Sequence, residues 1–102
     1  MTPTELPVLT IDGSLFDDYA GFAAEFTKLL TDWTWRGHLD AFNDILRGGF
    51  GTPQDGFVLR WLDSARSREL LGVEKFDQLV EIILDHGPGG KQAADEVHLE
   101  LR

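Results

Sequence analysis

The chain has 102 residues, no cysteine and a net charge of −9. The length suits one domain spanning 1–102, and 42% hydrophobic residues supply a core that needs no covalent staples. Without cysteine there are no disulfides, thiolate nucleophiles or cysteine-held zinc sites, and the acidity disfavours nucleic acid and anionic lipid as partners. Residues 1–46 carry eight acids (Glu5, Asp12, Asp17, Asp18, Glu25, Asp32, Asp40, Asp44) against Lys28 and Arg36. Such a field favours encounter with a basic macromolecule; the plainer reading of the charge is that it only keeps the protein soluble. No basic, apolar secretory leader opens the chain, and no apolar run reaches the length of a membrane span. The expected location is therefore the cytoplasm.

Residues 1–6 read as a loose leader. "PVLTIDG" is a short apolar run ending in Asp-Gly, a strand and turn. Ser14, with Asp17 three residues on, suits a helix start. Tyr19, Phe22, Phe26, Leu29 and Leu30 recur at helical spacing, predicting an amphipathic helix over about 15–30. A loop over 31–37 carries Trp33 and Trp35. A second helix is expected from about 38 to 47, with Leu39, Phe42, Ile45 and Leu46 as its apolar stripe and Gly48-Gly49 at its end. "FVLRWL" predicts a strand. Asp63 or Ser64 is placed to cap a third helix, "ARSRELL", closed by Gly72. Phe76, Leu79, Val80 and Ile83 mark a fourth, stopping at His86-Gly87-Pro88. "GPGGKQAAD" reads as a flexible connection. "EVHLELR" alternates, with Val97, Leu99 and Leu101 inward and Glu96, His98, Glu100 and Arg102 outward. Strands joined by connections of this length pair in parallel through right-handed crossovers. The expected class is α/β: a three-stranded parallel sheet packed with about four helices.

Catalytic chemistry finds little support. His38, His86 and His98 are far apart, and His86 and His98 are expected at the surface, the first in a last helical turn where a cation suits the dipole. "GPGGK" lacks the spacing of a phosphate-binding loop. His38, Asp40 and Asp44 share a helical face that suits a divalent cation, but the further carboxylates such sites recruit are not evident nearby. No metal, cofactor or enzymatic activity is expected.

The acid pair itself needs an account. Asp40 lies in the first helical turn, where the helix dipole favours a carboxylate. Asp44, one turn on, gains little from that effect, and like charges at this spacing repel. Asn43 and Arg47 share the polar side. Trp33 and Trp35 alternate with Thr34 and Arg36, so both rings cannot easily enter the core, and tryptophan is a common interface anchor. An aromatic loop beside paired carboxylates suits recognition of a basic pocket, the acids standing where phosphates would bind.

These residues resemble the barstar family, small intracellular inhibitors of microbial ribonucleases. "HLDAFNDIL" is similar to the family's Asn-Leu-Asp-Ala-Leu-x-Asp-x-Leu helix, "FVLRWLDSARSREL" to its second strand and third helix, and "EVHLELR" to its closing strand. The resemblance runs from Val8 to Arg102. It implies a cytoplasmic inhibitor, an immunity protein, that meets a basic secreted-type ribonuclease one-to-one as a monomer and blocks its active site. It also implies that Asp40 and Asp44 are the inhibitory acids, with Asp44 in the phosphate position. Thr34 and Trp35 fall at the family's aromatic pair, His38 at its asparagine and Gly48 at the glycine after the helix. Glu81 is the nearest counterpart of a further acid on the fourth helix. Trp33 and Arg36 complete the loop. "WTWRGH" departs from the family's Tyr-Tyr-Gly-x-Asn, Asn43 stands where the namesake carries tryptophan, and Arg36 sets a positive charge beside the surface. A regulatory or immunity module directed at a different toxin nuclease or partner is the alternative.

Overall fold

The computed structural model describes residues 6–30, 35, 39–47, 52–53 and 56–102, with the side chains of Asp40 and Ala94 outside that description. The elements run β1 (Val8–Asp12), α1 (Tyr19–Thr27), α2 (Leu39–Arg47), β2 (Phe57–Leu62), α3 (Ser64–Leu71), α4 (Val73–Asp85), a 3-10 turn (Ala93–Asp95) and β3 (Val97–Leu101). The strands form a parallel sheet in the order β1-β2-β3. This is the expected α/β class, a three-stranded parallel sheet with four α-helices among the described residues.

Register explains how the sheet divides. Val8, Val58 and His98 lie in one row, and Thr10, Arg60 and Glu100 in another on the same side. Those positions are exposed or half-buried, and Arg60 pairs with Glu100 across the strands at 3.1 Å. The alternate positions, Ile11, Phe57, Leu59, Trp61 and Val97, are buried against helix residues Phe22, Phe26, Phe42, Phe76, Leu79 and Ile83. Parallel sheets usually read as continuous apolar runs because both faces are covered. Here the alternation matches a sheet with one solvated face. Each large side chain fully buried on the other face contributes roughly 1.5–3 kcal/mol. Leu101, expected inward, is 46% exposed. It is the last residue of an edge strand, where the covering layer ends.

Several local expectations are corrected. The first helix begins at Tyr19 rather than near 15. Ser14 is used in a turn instead, its N–H and Oγ–H both donating to Asp12 Oδ1 at 2.9 and 2.7 Å. This holds the Asp12 carboxyl below its usual range. Asp18 is the cap, accepting the Gly21 N–H at 2.7 Å. At the other end the helix stops at Thr27, and Leu29 and Leu30 close a tight turn through N–H donation to Phe26 and Thr27 carbonyls. Asp63 stands at the start of α3, but in the left-handed region (φ 52°) and without a side-chain cap. The Ser64 N–H and hydroxyl donate to the Arg102 carbonyl at 3.0 and 3.1 Å, so the residue after β3 ties down the start of α3. Leu6, expected in a loose leader, is half-buried beside Val8, Val58 and His98, and the Pro7 carbonyl accepts from Val58 N–H at 2.8 Å. Residues 1–5 of that leader lie outside the described set.

One buried polar relay locks the turn after β1 to α3. Trp61 Nε1–H donates to Ser67 Oγ at 2.8 Å, and the Ser67 hydroxyl donates to the Gly13 carbonyl at 2.7 Å. Ser67 is fully buried. A Cβ on residue 13 would lie 2.1 Å from Ser67 Oγ and 2.6 Å from the Leu62 carbonyl oxygen, so only glycine admits this approach.

Candidate functional site

α2 has three distinct sides, as its helical repeat dictates. Phe42, Ile45 and Leu46 are buried in the core, with Leu39 packed against them. Asn43 and Arg47, four residues apart, turn toward the segment that joins α4 to β3. Asp44 is on the outer side, its side chain 57% exposed. Asp40 belongs to α2, and its side chain is outside the described set. The C-terminal turn of α2 is closed from within, where the buried Thr52 hydroxyl donates to the Ile45 carbonyl at 3.0 Å.

The core beneath α2 is aromatic. Phe42 stacks on Trp35, centroids 4.5 Å apart and planes 13° from parallel, and meets Phe22 and Phe26 edge-on at 5.7 and 5.2 Å. Trp35 is 3% exposed. Its N–H donates to Thr27 Oγ1 at 3.0 Å, and that hydroxyl donates to the Trp35 carbonyl at 3.1 Å. Trp35, expected on the partner-facing surface, is thus a core side chain that seats α2. The physical reason is area: a ring of this size gains more from three aromatic neighbours than from solvent. Trp33, Thr34, Arg36, His38 and Gly48 lie outside the described residues.

Asn43 is also not presented outward. It is half-buried, and its Oδ1 lies 3.0 Å from His86 Nε2. His86 Nδ1 lies 2.6 Å from Asp95 Oδ2. His86, expected at the surface, has no exposed area. The spacing Phe76–Leu79–Ile83–His86 continues the buried stripe of α4, which is the signal that marks it as internal. His98 is on the solvated face as expected, 37% exposed and 2.8 Å from Glu96.

The connection expected to be flexible is instead stapled. The His86 carbonyl accepts from Val97 N–H at 2.9 Å, Gln92 N–H donates to the Asp85 carbonyl at 2.7 Å, and Gly90 N–H to Gly87 at 3.0 Å. Arg47 Nε donates to Gln92 Oε1 at 2.5 Å, and its Nη1 to Asp44 Oδ1 at 3.3 Å. Both Asp44 and Arg47 are more than half exposed, so their pairing contributes only about 0–1 kcal/mol and leaves the carboxylate open to a stronger partner. Glu81 is exposed on α4, the helix packed against α2. Among the described residues, no group of three or more His, Cys, Asp and Glu side chains stands together as a metal site.

The arrangement is a helix held on two sides, with an exposed carboxylate on the third. Such a carboxylate accepts charge-assisted hydrogen bonds from Arg, Lys or His. That is binding chemistry for a basic surface. The chain belongs to the barstar (barnase inhibitor) family, whose model matches residues 6–102. No curated protein matches it in sequence. The family is one of inhibitor domains of the barnase-inhibitor type.

Proposed function

We propose that the chain inhibits a basic microbial ribonuclease by docking α2 over its active site, Asp44 taking the place of a substrate phosphate. The single observation that carries this reading is Asp44 itself. In a chain of this family, it is an exposed carboxylate on the outer side of a helix whose Phe42, Ile45 and Leu46 are seated in the core. Asp40, one turn earlier, is the second acid of the proposal, and the complex is one-to-one with the chain acting in the cytoplasm. Trp33, Thr34, Arg36, His38, Gly48 and Glu81 are proposed as further partner-binding residues. Titration calorimetry with a purified barnase-type ribonuclease, beside a ribonucleotide cleavage assay, tests it. Tight one-to-one binding with loss of cleavage is expected, and Asp44→Ala weakens binding by at least about 2 kcal/mol. Unchanged affinity in that variant overturns the assignment.

A second reading has its own observation. Trp35 and Asn43, two positions of the expected interface, are engaged inside the molecule, so the contact differs from the expected one at those two positions. An immunity or regulatory module aimed at another basic toxin follows from that difference. It expects no inhibition of a guanyl-preferring ribonuclease and a specific complex with a different nuclease.

A further inference from the structure

Among the described histidines, His86 alone has no exposed area, and nothing in the proposed binding chemistry uses it. Its ring stands where three pieces of chain meet: the end of α4, the 3-10 turn through Asp95, and α2 through Asn43. We infer that His86 is a positioning residue for α2, fixing the acid-bearing helix through the link Asp95–His86–Asn43.

The chemistry of the three side chains fits that task. The Asp95 carboxylate only accepts, so Nδ1 carries a hydrogen and donates to it. Nε2 then faces Asn43, whose amide offers an oxygen at one end and an NH2 at the other. A charged ring donates at Nε2 to the amide oxygen. A neutral ring accepts there from the amide nitrogen once the group turns over. Asparagine thus completes the link in either protonation state, which neither a carboxylate nor a hydrocarbon at position 43 would do. Burial makes the link consequential, because a ring nitrogen without exposed area has no water to replace a lost partner. The neighbouring Arg47–Gln92 bond holds the same two segments, but Arg47 is half exposed and water substitutes for it. Asn43 directly precedes Asp44, so the link holds the stretch of α2 from which that carboxylate projects.

As a statement about binding this rests on the inhibitor reading; as a statement about α2 it does not. The test is amide hydrogen exchange on the free, full-length chain. The side-chain nitrogen of Asn overlays imidazole Nδ1, and that of Gln overlays Nε2. His86→Asn therefore keeps the Asp95 bond and drops Asn43, whereas His86→Gln does the reverse. Asn43→Ala removes the link with the His86–Asp95 pair intact and covers the case in which a His86 variant does not fold. In His86→Asn and Asn43→Ala, α2 amides are expected to exchange at least tenfold faster relative to β2 amides, with His86→Gln closer to wild type. Equal acceleration in all elements, no acceleration in α2, or identical behaviour of the Asn and Gln variants overturns the proposal. The same variants titrated against the barnase-type ribonuclease separate the two claims. Loss of α2 protection with no binding by the wild type sinks the inhibitor reading alone, and loss of protection with unchanged affinity sinks the link to binding.

Discussion

Asp44 and Trp35 sit on opposite sides of the same few turns of chain and do opposite kinds of work. Asp44 is exposed, and its only described ion pair, with Arg47 at 3.3 Å, is a surface pair. Asp44→Ala is therefore expected to leave unfolding free energy within about 1 kcal/mol of wild type while cutting affinity for a basic ribonuclease, which urea titration and calorimetry on one preparation separate. Trp35→Ala should do the reverse. It opens a cavity beside Phe22, Phe26 and Phe42 and is expected to cost roughly 3–5 kcal/mol of stability in the same urea titration. Both roles hinge on where a side chain points. Sequence spacing identified Asp44 as outward because the Phe42–Ile45–Leu46 stripe fixes the inward side. It did not identify Trp35, because a loop has no period from which direction can be read.

At the scale of elements, the order of strands and helices was legible in the sequence, since alternation and helical periodicity are local signals, although the first helix is shorter at both ends than its spacing predicts. The joints between them were not legible. Ser14 looks like a helix cap and is a turn residue, because Asp12 claims its hydroxyl before the helix begins. Ser67 looks like an ordinary polar residue of α3 and is the centre of the Trp61–Ser67–Gly13 relay. Ser67→Ala strands two buried polar groups and should destabilise the fold by about 1–3 kcal/mol for each, read from chemical denaturation. Gly13→Ala places a methyl group against the same hydroxyl and the Leu62 carbonyl, and is expected to cost at least about 1–3 kcal/mol. The stretch 87–95 shows the same lesson at greater length. Its glycines and lysine read as a loose connection, yet the Gln92, Val97 and Gly90 N–H groups donate to the Asp85, His86 and Gly87 carbonyls and hold it beside α2.

For the whole molecule, charge and the solvated sheet face govern behaviour in solution. A net charge of −9 should make association with a basic partner fast at low ionic strength. Stopped-flow measurements are expected to show the association rate falling about tenfold or more between dilute and high salt, as the screening length shrinks from about 10 Å at 0.1 M. On the sheet face, Arg102 and then Arg60 donate to Glu100 and hold its carboxyl below its ordinary value of 4.5. A carboxylate with a depressed pKa stabilises the fold above its unfolded pKa, and that contribution is lost as pH falls through the folded value. Wild type should thus unfold at a higher temperature than Glu100→Gln at neutral pH, with the gap closing below about pH 4.5 in a series of thermal melts.

The class of fold, the parallel pairing of its strands, the core stripes and the outward side of the acidic helix were decided by sequence, because they depend on the spacing of apolar residues within an element and on the length of chain between strands. Tertiary structure decided what those elements do to one another. It turned Trp35 inward, placed His86 between Asn43 and Asp95, and made a glycine-rich connection into a support. The side-chain contacts behind those outcomes join residues 8 to 45 positions apart, and no local pattern carries information about a partner that far along the chain.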